Sequence, residues 1–279
     1  MTATNDNNSV VCKSKDIRLQ NFTEVKELFE SYLNRKSNGK MFKLVSGTWN
    51  PVSGCLFNCR YCWARELAET KLKKVQRYQE GFKPSLNESE FKVKFQKGDL
   101  IFVCDMGDLF GDFIPSAWIQ KVLDHIELFP EANFLLLSKN PKRYHEFIDL
   151  MPKNVILGTT IETNIDRIVK EHNVSKAPLP SKRYEAMKSL HWSRKMVSIE
   201  PILDFDLDIL VQWIEGIQPF LVYVGFDNYD GQMPEPIQDK VLQLIKLISS
   251  NRLVVKKTIR PAWSEEIQEG IKREDAKKR

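Results

Sequence analysis

Residues 43–75 read KLVSGTWNPVSGCLFNCRYCWARELAETKLKKV, and the order of patterns in this stretch decides the fold. An apolar run ending at Trp49 reads as a strand. A polar loop follows, carrying Cys55, Cys59 and Cys62, and beyond it Ala64, Leu67, Ala68, Leu72 and Val75 recur at helical spacing. Strand, loop and amphipathic helix in that order form the first half of a βαβ unit.

The unit then repeats along the chain. Further apolar runs are DLIFVCD (99–105), NFLLLSK (133–139), NVILGTTIE (154–162), KMVSIEP (195–201), FLVYVGF (220–226) and LVVKK (253–257). Nearly continuous apolar runs of this kind are how strands buried on both faces read. Between them stand helix signals. Pro115 and Ser116 open a helix bearing Ile119, Val122, Leu123 and Ile126, ended by Pro130; Asn140 and Pro141 cap one bearing Tyr144, Phe147 and Ile148, ended by Pro152; Pro236 opens one bearing Ile237, Val241, Leu244, Ile245 and Ile248. The expected fold is α/β, a partial or complete (β/α) barrel of six to seven parallel strands, with an open doubly wound sheet as the alternative. In both, the residues just after each strand become the site. Residues 80–97 fit the repeat badly and read as an insertion or lid, and 172–181, with Pro178 and Pro180, as a loop.

The 279 residues, 42% hydrophobic, suit one large domain. Residues 1–40 are expected to be a polar tail holding Cys12, then an amphipathic helix from Thr23 to Asn34 with Val25, Leu28, Phe29, Tyr32 and Leu33 on one side. Residues 41–260 form the barrel domain, and 261–279 a basic tail. No run is long and apolar enough for a bilayer span, and MTATNDNNSV lacks the regions of a signal peptide, which predicts a cytoplasmic protein without a membrane partner. Five cysteines, three of them crowded together, make a poor disulfide framework but good metal ligands in a reducing compartment. The formal charge of +5, concentrated in KLKKVQRYQ, FKVKFQKG and IKREDAKKR, admits a nucleic-acid partner, although charge runs of this kind also serve as solvated faces.

In CxxxCxxC spacing each thiolate reaches a different iron of a [4Fe–4S] cubane, and the fourth iron is left without a protein ligand. Zinc is the competing reading, but a structural zinc site pairs two knuckles, and no second CxxC or HxxxH is present. His125 and His145 fall in helices, and His172 and His191 in or beside loops. Cys104, ending the second run, is the candidate fourth ligand, against its reading as a small buried hydrophobe.

CxxxCxΦC, with Tyr61 before the last cysteine, resembles the signature of the radical S-adenosylmethionine enzymes. TWNPVSGC, DMGDLFGD, LLLSKNPKRY, GTTIETN and SIEPIL, in this order, resemble more closely an uncharacterised phage-associated radical-SAM-like family. The resemblance implies an enzyme in which Cys55, Cys59 and Cys62 hold the cluster. S-adenosylmethionine chelates its open iron and is cleaved to a 5′-deoxyadenosyl radical, which takes hydrogen from an unknown substrate, with ferredoxin or flavodoxin as electron donor. Tyr61 would line the adenine side. Members carry a Gly-Gly-Glu-like motif where this chain has CDMGDLFGD, so Asp105 or Asp108 would supply the carboxylate for the cofactor ammonium and Gly107 the close backbone approach. Lys139 would meet the cofactor carboxylate, and Thr160, Glu162 and Glu200 the ribose hydroxyls, the plainer alternative being a salt bridge from Lys139 to either glutamate. Asp227, Asn228, Tyr229 and Lys257 would face substrate, and Trp49 would pack over the cluster, while Trp118 and Trp213 belong to the core. The competing functions are a non-catalytic iron–sulfur or zinc protein and, more narrowly, a radical enzyme that repairs or modifies nucleic acid.

Overall fold

The computed structural model describes residues 42, 44–229, 232–250 and 252–268. Cys12, the amphipathic helix expected at Thr23 to Asn34 and the tail from 269 onward lie outside the described residues. The strands are β1 (Gly47–Trp49), β2 (Val52–Ser53), β3 (Ser85–Leu86), β4 (Leu100–Val103), β5 (Asn133–Ser138), β6 (Val155–Thr160), β7 (Lys195–Ile199), β8 (Leu221–Val224) and β9 (Leu253–Lys256). The helices are α1 (Trp63–Glu69), α2 (Ser116–Glu127), α3 (Asp166–Glu171), α4 (Pro180–Ser189), α5 (Leu207–Ile217), α6 (Gln238–Ile248) and α7 (Trp263–Gln268).

Seven strands form one parallel sheet in the order β1-β4-β5-β6-β7-β8-β9, curled into a half-barrel. β1 and β9 stand at its two edges, so the barrel is partial. All seven apolar runs contribute a strand. The inner strands β4 to β8 bury both faces, whereas the edge strands β1 and β9 are only partly covered. Ile101 and Val103 of β4, with Phe134, Leu157, Val197 and Val222, face outward into the main core under the helices. Leu100 and Phe102, with Leu135, Ile156, Met196 and Tyr223, face the concave side. Each such aliphatic side chain contributes on the order of 1.5–3 kcal/mol by leaving water.

Several expectations change with tertiary contact. The first run pairs only over Gly47–Trp49; Phe42, Leu44 and Val45 plug the concave face instead, where Phe42 packs on Phe102 and Tyr223 with ring centroids 5.2 and 4.5 Å apart. α1 ends at Glu69, so Leu72 and Val75 lie in turns past its end. The helix expected after Asn140 is two 3₁₀ segments, Pro141–Glu146 and Ile148–Leu150, and the Asn140 side chain, rather than capping, donates to the Phe110 carbonyl and Asp112. Residues 80–97 are no lid. β3 pairs antiparallel with β2, and Phe91 and Phe95 pack edge-on against Trp49, at centroid distances of 5.9 and 5.4 Å. The chain also continues past residue 260 as body, because Ala262 is fully buried in the main core and α7 follows it.

Candidate active site

The strand ends open on a cleft of about 440 Å³ whose lining runs from the cysteine loop across β5 and β6 to the ends of β8 and β9. Cys55, Cys59 and Cys62 are all half-buried and all line it. Their loop is held mainly by backbone. Gly54 has φ +89° and donates to the Met106 carbonyl at 2.8 Å, and a Cβ there would fall 2.1 Å from the Lys83 carbonyl oxygen, so only glycine fits. Cys55 N–H donates to Phe82 at 3.0 Å, and the Arg65 guanidinium reaches back to the Cys55 carbonyl at 2.7 Å. Asn58 takes the left-handed conformation at φ 51°, which asparagine tolerates. Cys62 is the N-cap of α1, its sulfur accepting from Arg65 N–H at 3.4 Å.

Burial pushes the Cys55 thiol well up, with the Asp108 charge adding to it, and burial likewise raises Cys62. Both are thiols at neutral pH, so a metal must displace their protons. Among the described residues no three His, Cys, Asp or Glu side chains converge closely enough to hold one metal ion. Three thiols lining one cleft are a donor set of the kind a cubane takes, one thiolate to each of three irons. Cys104 stands apart, 3% exposed in the main core at φ 58° and outside the cleft lining, as a small buried hydrophobe. Trp49 is likewise on the outward face of β1, 1% exposed, donating to the Glu90 carbonyl at 3.0 Å. It covers the core rather than the cysteines.

Beside the trio lies a buried ionic corner. Tyr61 OH donates to Glu162, and Lys139 Nζ donates both to Tyr61 and to Glu162, the latter at 2.6 Å. The other Glu162 oxygen takes Arg183 at 2.7 Å, and the side chains of both are 0% exposed. Burial alone raises Glu162, but Arg183 and then Lys139 reverse that and hold it at about 2. Burial, then the Glu162 charge, push Tyr61 well above its ordinary value. Lys139 and Tyr61 still line the cleft, whereas Glu162 sits behind them. The salt bridge reading of Lys139 is thus the geometry present.

Asp105, Gly107, Asp108 and Thr160 also line the cleft. Asp108 is engaged on both oxygens, accepting from Ser138 Oγ at 2.6 Å and Phe110 N–H at 3.2 Å on one and Lys139 N–H at 2.8 Å on the other. Asp105 is held on one oxygen by Asn50 Nδ2 at 2.6 Å, while Asn50 Oδ1 accepts from Met106 N–H. Burial raises both aspartates, against those hydrogen bonds. The close approach at Gly107 is made by Gly54: a Cβ would meet the Gly54 oxygen at 3.0 Å. On the far rim Glu200 is paired with Lys257 Nζ at 2.6 Å, and burial raises it despite that cation. Asp227, Asn228, Tyr229 and Lys257 line the same cleft, with Tyr229 58% exposed at its mouth.

Sequence reasoning missed Arg183, Asn50 and Ser175. Arg183 belongs to α4, PSKRYEAMKS, which the sequence reading did not mark as a helix and which begins inside the stretch 172–181 expected to be a loop. Asn50, adjacent to the cysteine stretch, was the more legible of the three.

Fold and site define the class as an α/β half-barrel protein with a thiol-lined cleft at the strand ends. Residues 41–269 match the family described as "Protein of unknown function (DUF5131)", and the chain belongs to it. A point mutant of spore photoproduct lyase superposes with a TM-score of 0.53 at 10% identity, over 74% of this chain and 75% of that one. Another mutant, with bound AdoMet and dinucleoside spore photoproduct, gives 0.49 at 13% identity over 83% and 72%. Against the lyase complexed with dinucleoside spore photoproduct the values are 0.47 and 11%, and there 72% of this chain spans 60% of the other. At these identities the likeness is one of fold. No curated protein matches the chain.

Proposed function

We propose that this protein is a radical S-adenosylmethionine enzyme of the reducing cytosol, within the phage-associated branch that its motifs resemble. The observation that carries the reading is a trio of half-buried thiols lining one cleft at the mouth of a parallel half-barrel, with Cys104 turned away into the core. Cys55, Cys59 and Cys62 would hold a [4Fe–4S] cluster with one iron open. Bound there, the cluster and S-adenosylmethionine supply reductive cleavage to methionine and a 5′-deoxyadenosyl radical that abstracts hydrogen from substrate.

The chain's own residues orient and enclose. Asp105 or Asp108 would meet the cofactor ammonium: both line the cleft, and both already accept hydrogen bonds within the chain, Asp108 from Ser138, Phe110 and Lys139 and Asp105 from Asn50 and Thr48. Lys139 and Tyr61 present their cleft-facing atoms from a corner that Glu162 and Arg183 hold still, which fixes the wall against which the adenosine lies. Thr160 and Glu200 face the cleft for ribose, and Asp227 to Tyr229 stand where substrate enters. Phe57, Trp63 and Phe82 supply apolar lining that limits water at the reacting atoms.

The test is anaerobic reconstitution with iron and sulfide, reduction, and addition of S-adenosylmethionine. Formation of 5′-deoxyadenosine is expected; a fully loaded, reduced protein that forms none overturns the proposal, and one zinc per chain without sulfide replaces it. A narrower reading, with a nucleic acid as substrate, is favoured by Lys71, which lines the cleft, and by exposed Lys73 and Lys74, which follow it in the chain. Retention on DNA or RNA that weakens steeply with salt is its expected signature.

A further inference from the structure

We infer that Ser175, 116 residues beyond Cys59 in the chain and 3.4 Å from its sulfur, is a positioning residue that donates a hydrogen bond to the Cys59 thiolate and thereby raises the reduction potential of the cluster. The inference rests on the cluster reading above.

The geometry comes from how residues 172–177 dock on the cysteine loop. Arg60 N–H donates to the Val174 carbonyl at 3.0 Å, and Lys176 N–H donates to the Phe57 carbonyl at 2.6 Å. These two bonds bracket Ser175 on one segment and Cys59 on the other, so the two side chains meet in register, with Oγ and Sγ 3.4 Å apart. The Arg60 guanidinium fastens the same segment at its start, donating to the His172 carbonyl at 3.0 Å.

The Ser175 hydroxyl has one proton to place. Its oxygen already accepts from Ala177 N–H at 2.9 Å, which orients its remaining directions. The proton can go to the Phe57 carbonyl, 3.5 Å away and already engaged by Lys176, or to Cys59. With Cys59 a thiol, as here, its S–H donates to Ser175 Oγ and the serine hydroxyl donates to the Phe57 carbonyl. Once that proton is lost to metal binding, the sulfur offers only lone pairs, and the hydroxyl turns toward the charge.

Each of the other two sulfurs takes a local backbone donor, Cys55 from Phe57 N–H at 3.5 Å and Cys62 from Arg65 N–H at 3.4 Å. Those bonds follow from the loop itself and survive any side-chain change. At Cys59 the donor is a side chain brought from the loop between α3 and α4, and hydrogen bonds to cluster sulfurs stabilise the reduced, more negative state. It is therefore the adjustable one.

The experiment compares wild type, Ser175→Ala and Ser175→Thr after anaerobic reconstitution, reading iron and sulfide content and then a redox titration followed by electron paramagnetic resonance. Ser175→Ala should load fully yet shift to a more negative midpoint, the reduced-to-oxidised ratio at fixed solution potential falling roughly tenfold, about 59 mV for one electron. Ser175→Thr keeps a hydroxyl and should restore most of that ratio. A loaded Ser175→Ala cluster with an unmoved midpoint, or a threonine variant shifted as far as alanine, overturns the inference while leaving the cluster reading intact. A wild-type protein that takes up no iron and sulfide overturns both.

Discussion

The two walls of the cleft beside Tyr61 are made in opposite ways. On the cysteine side the functional atoms fall within eight consecutive residues, and backbone hydrogen bonds and the α1 cap set their positions. In the ionic corner Tyr61, Lys139, Glu162 and Arg183 come from four segments, and only side-chain charges and hydrogen bonds join them, with Glu162 and Arg183 fully buried behind the cleft-lining Tyr61 and Lys139. The loop tolerates change in what surrounds it. The corner does not, since removing one charge strands the others where solvation cannot replace it.

The largest effect is expected on the cysteine side. Replacing Cys55, Cys59 or Cys62 by alanine should abolish both cluster loading and 5′-deoxyadenosine formation while the protein stays folded, because these thiols are half-exposed and add little to the core. Circular dichroism beside iron analysis checks it; an alanine variant that still forms product breaks the assignment. In the corner the expected loss is of stability. Glu162→Gln leaves two cations facing one neutral group and should cost about 3–5 kcal/mol, read from urea unfolding. A cost below about 1 kcal/mol would mean that water reaches the corner.

Gly54→Ala tests whether the cysteine loop depends on its backbone. Its left-handed φ and the Lys83 carbonyl together predict a loss of at least about 1–3 kcal/mol, with weakened cluster loading. Acid comes next. Glu162 is held at about 2 against an ordinary 4.5, so the stability it adds is fully present above 4.5 and lost as pH falls toward 2. Asp105, Asp108 and Glu200, raised by burial, have the opposite sign, and their cost grows only as pH rises through the ordinary carboxylate values. Urea midpoints should therefore fall in that acid window for wild type and more shallowly for Glu162→Gln. The smallest effect is Cys104→Ala, about 1 kcal/mol of stability from lost packing and no change in iron content.

Much of the frame was legible from residues. Every apolar run supplied a strand, the inner ones because a strand buried on both faces has no polar alternative, and residues at the strand ends, from Asp105 through Lys139 and Thr160 to Lys257, gather at one cleft. Trp49 was misplaced because a one-residue step in register reverses the face, and apolar runs leave the register unmarked. For Asp108 and Glu162 the sequence does not mark the partner, because an acidic side chain after a strand reads identically whether it meets a cofactor or protein donors such as Ser138 and Lys139 at Asp108 and Arg183 at Glu162.

Alone, the sequence determined what is local: the cysteine spacing and the alternation of strand and helix, each resting on patterns within a few residues. Tertiary structure decided the pairings. That Arg183 neutralises Glu162, that Cys104 faces the core and that Ser175 meets Cys59 depend on segments brought together only when the sheet curls, and charge and hydrogen-bond partners across such distances leave no periodic mark in the chain.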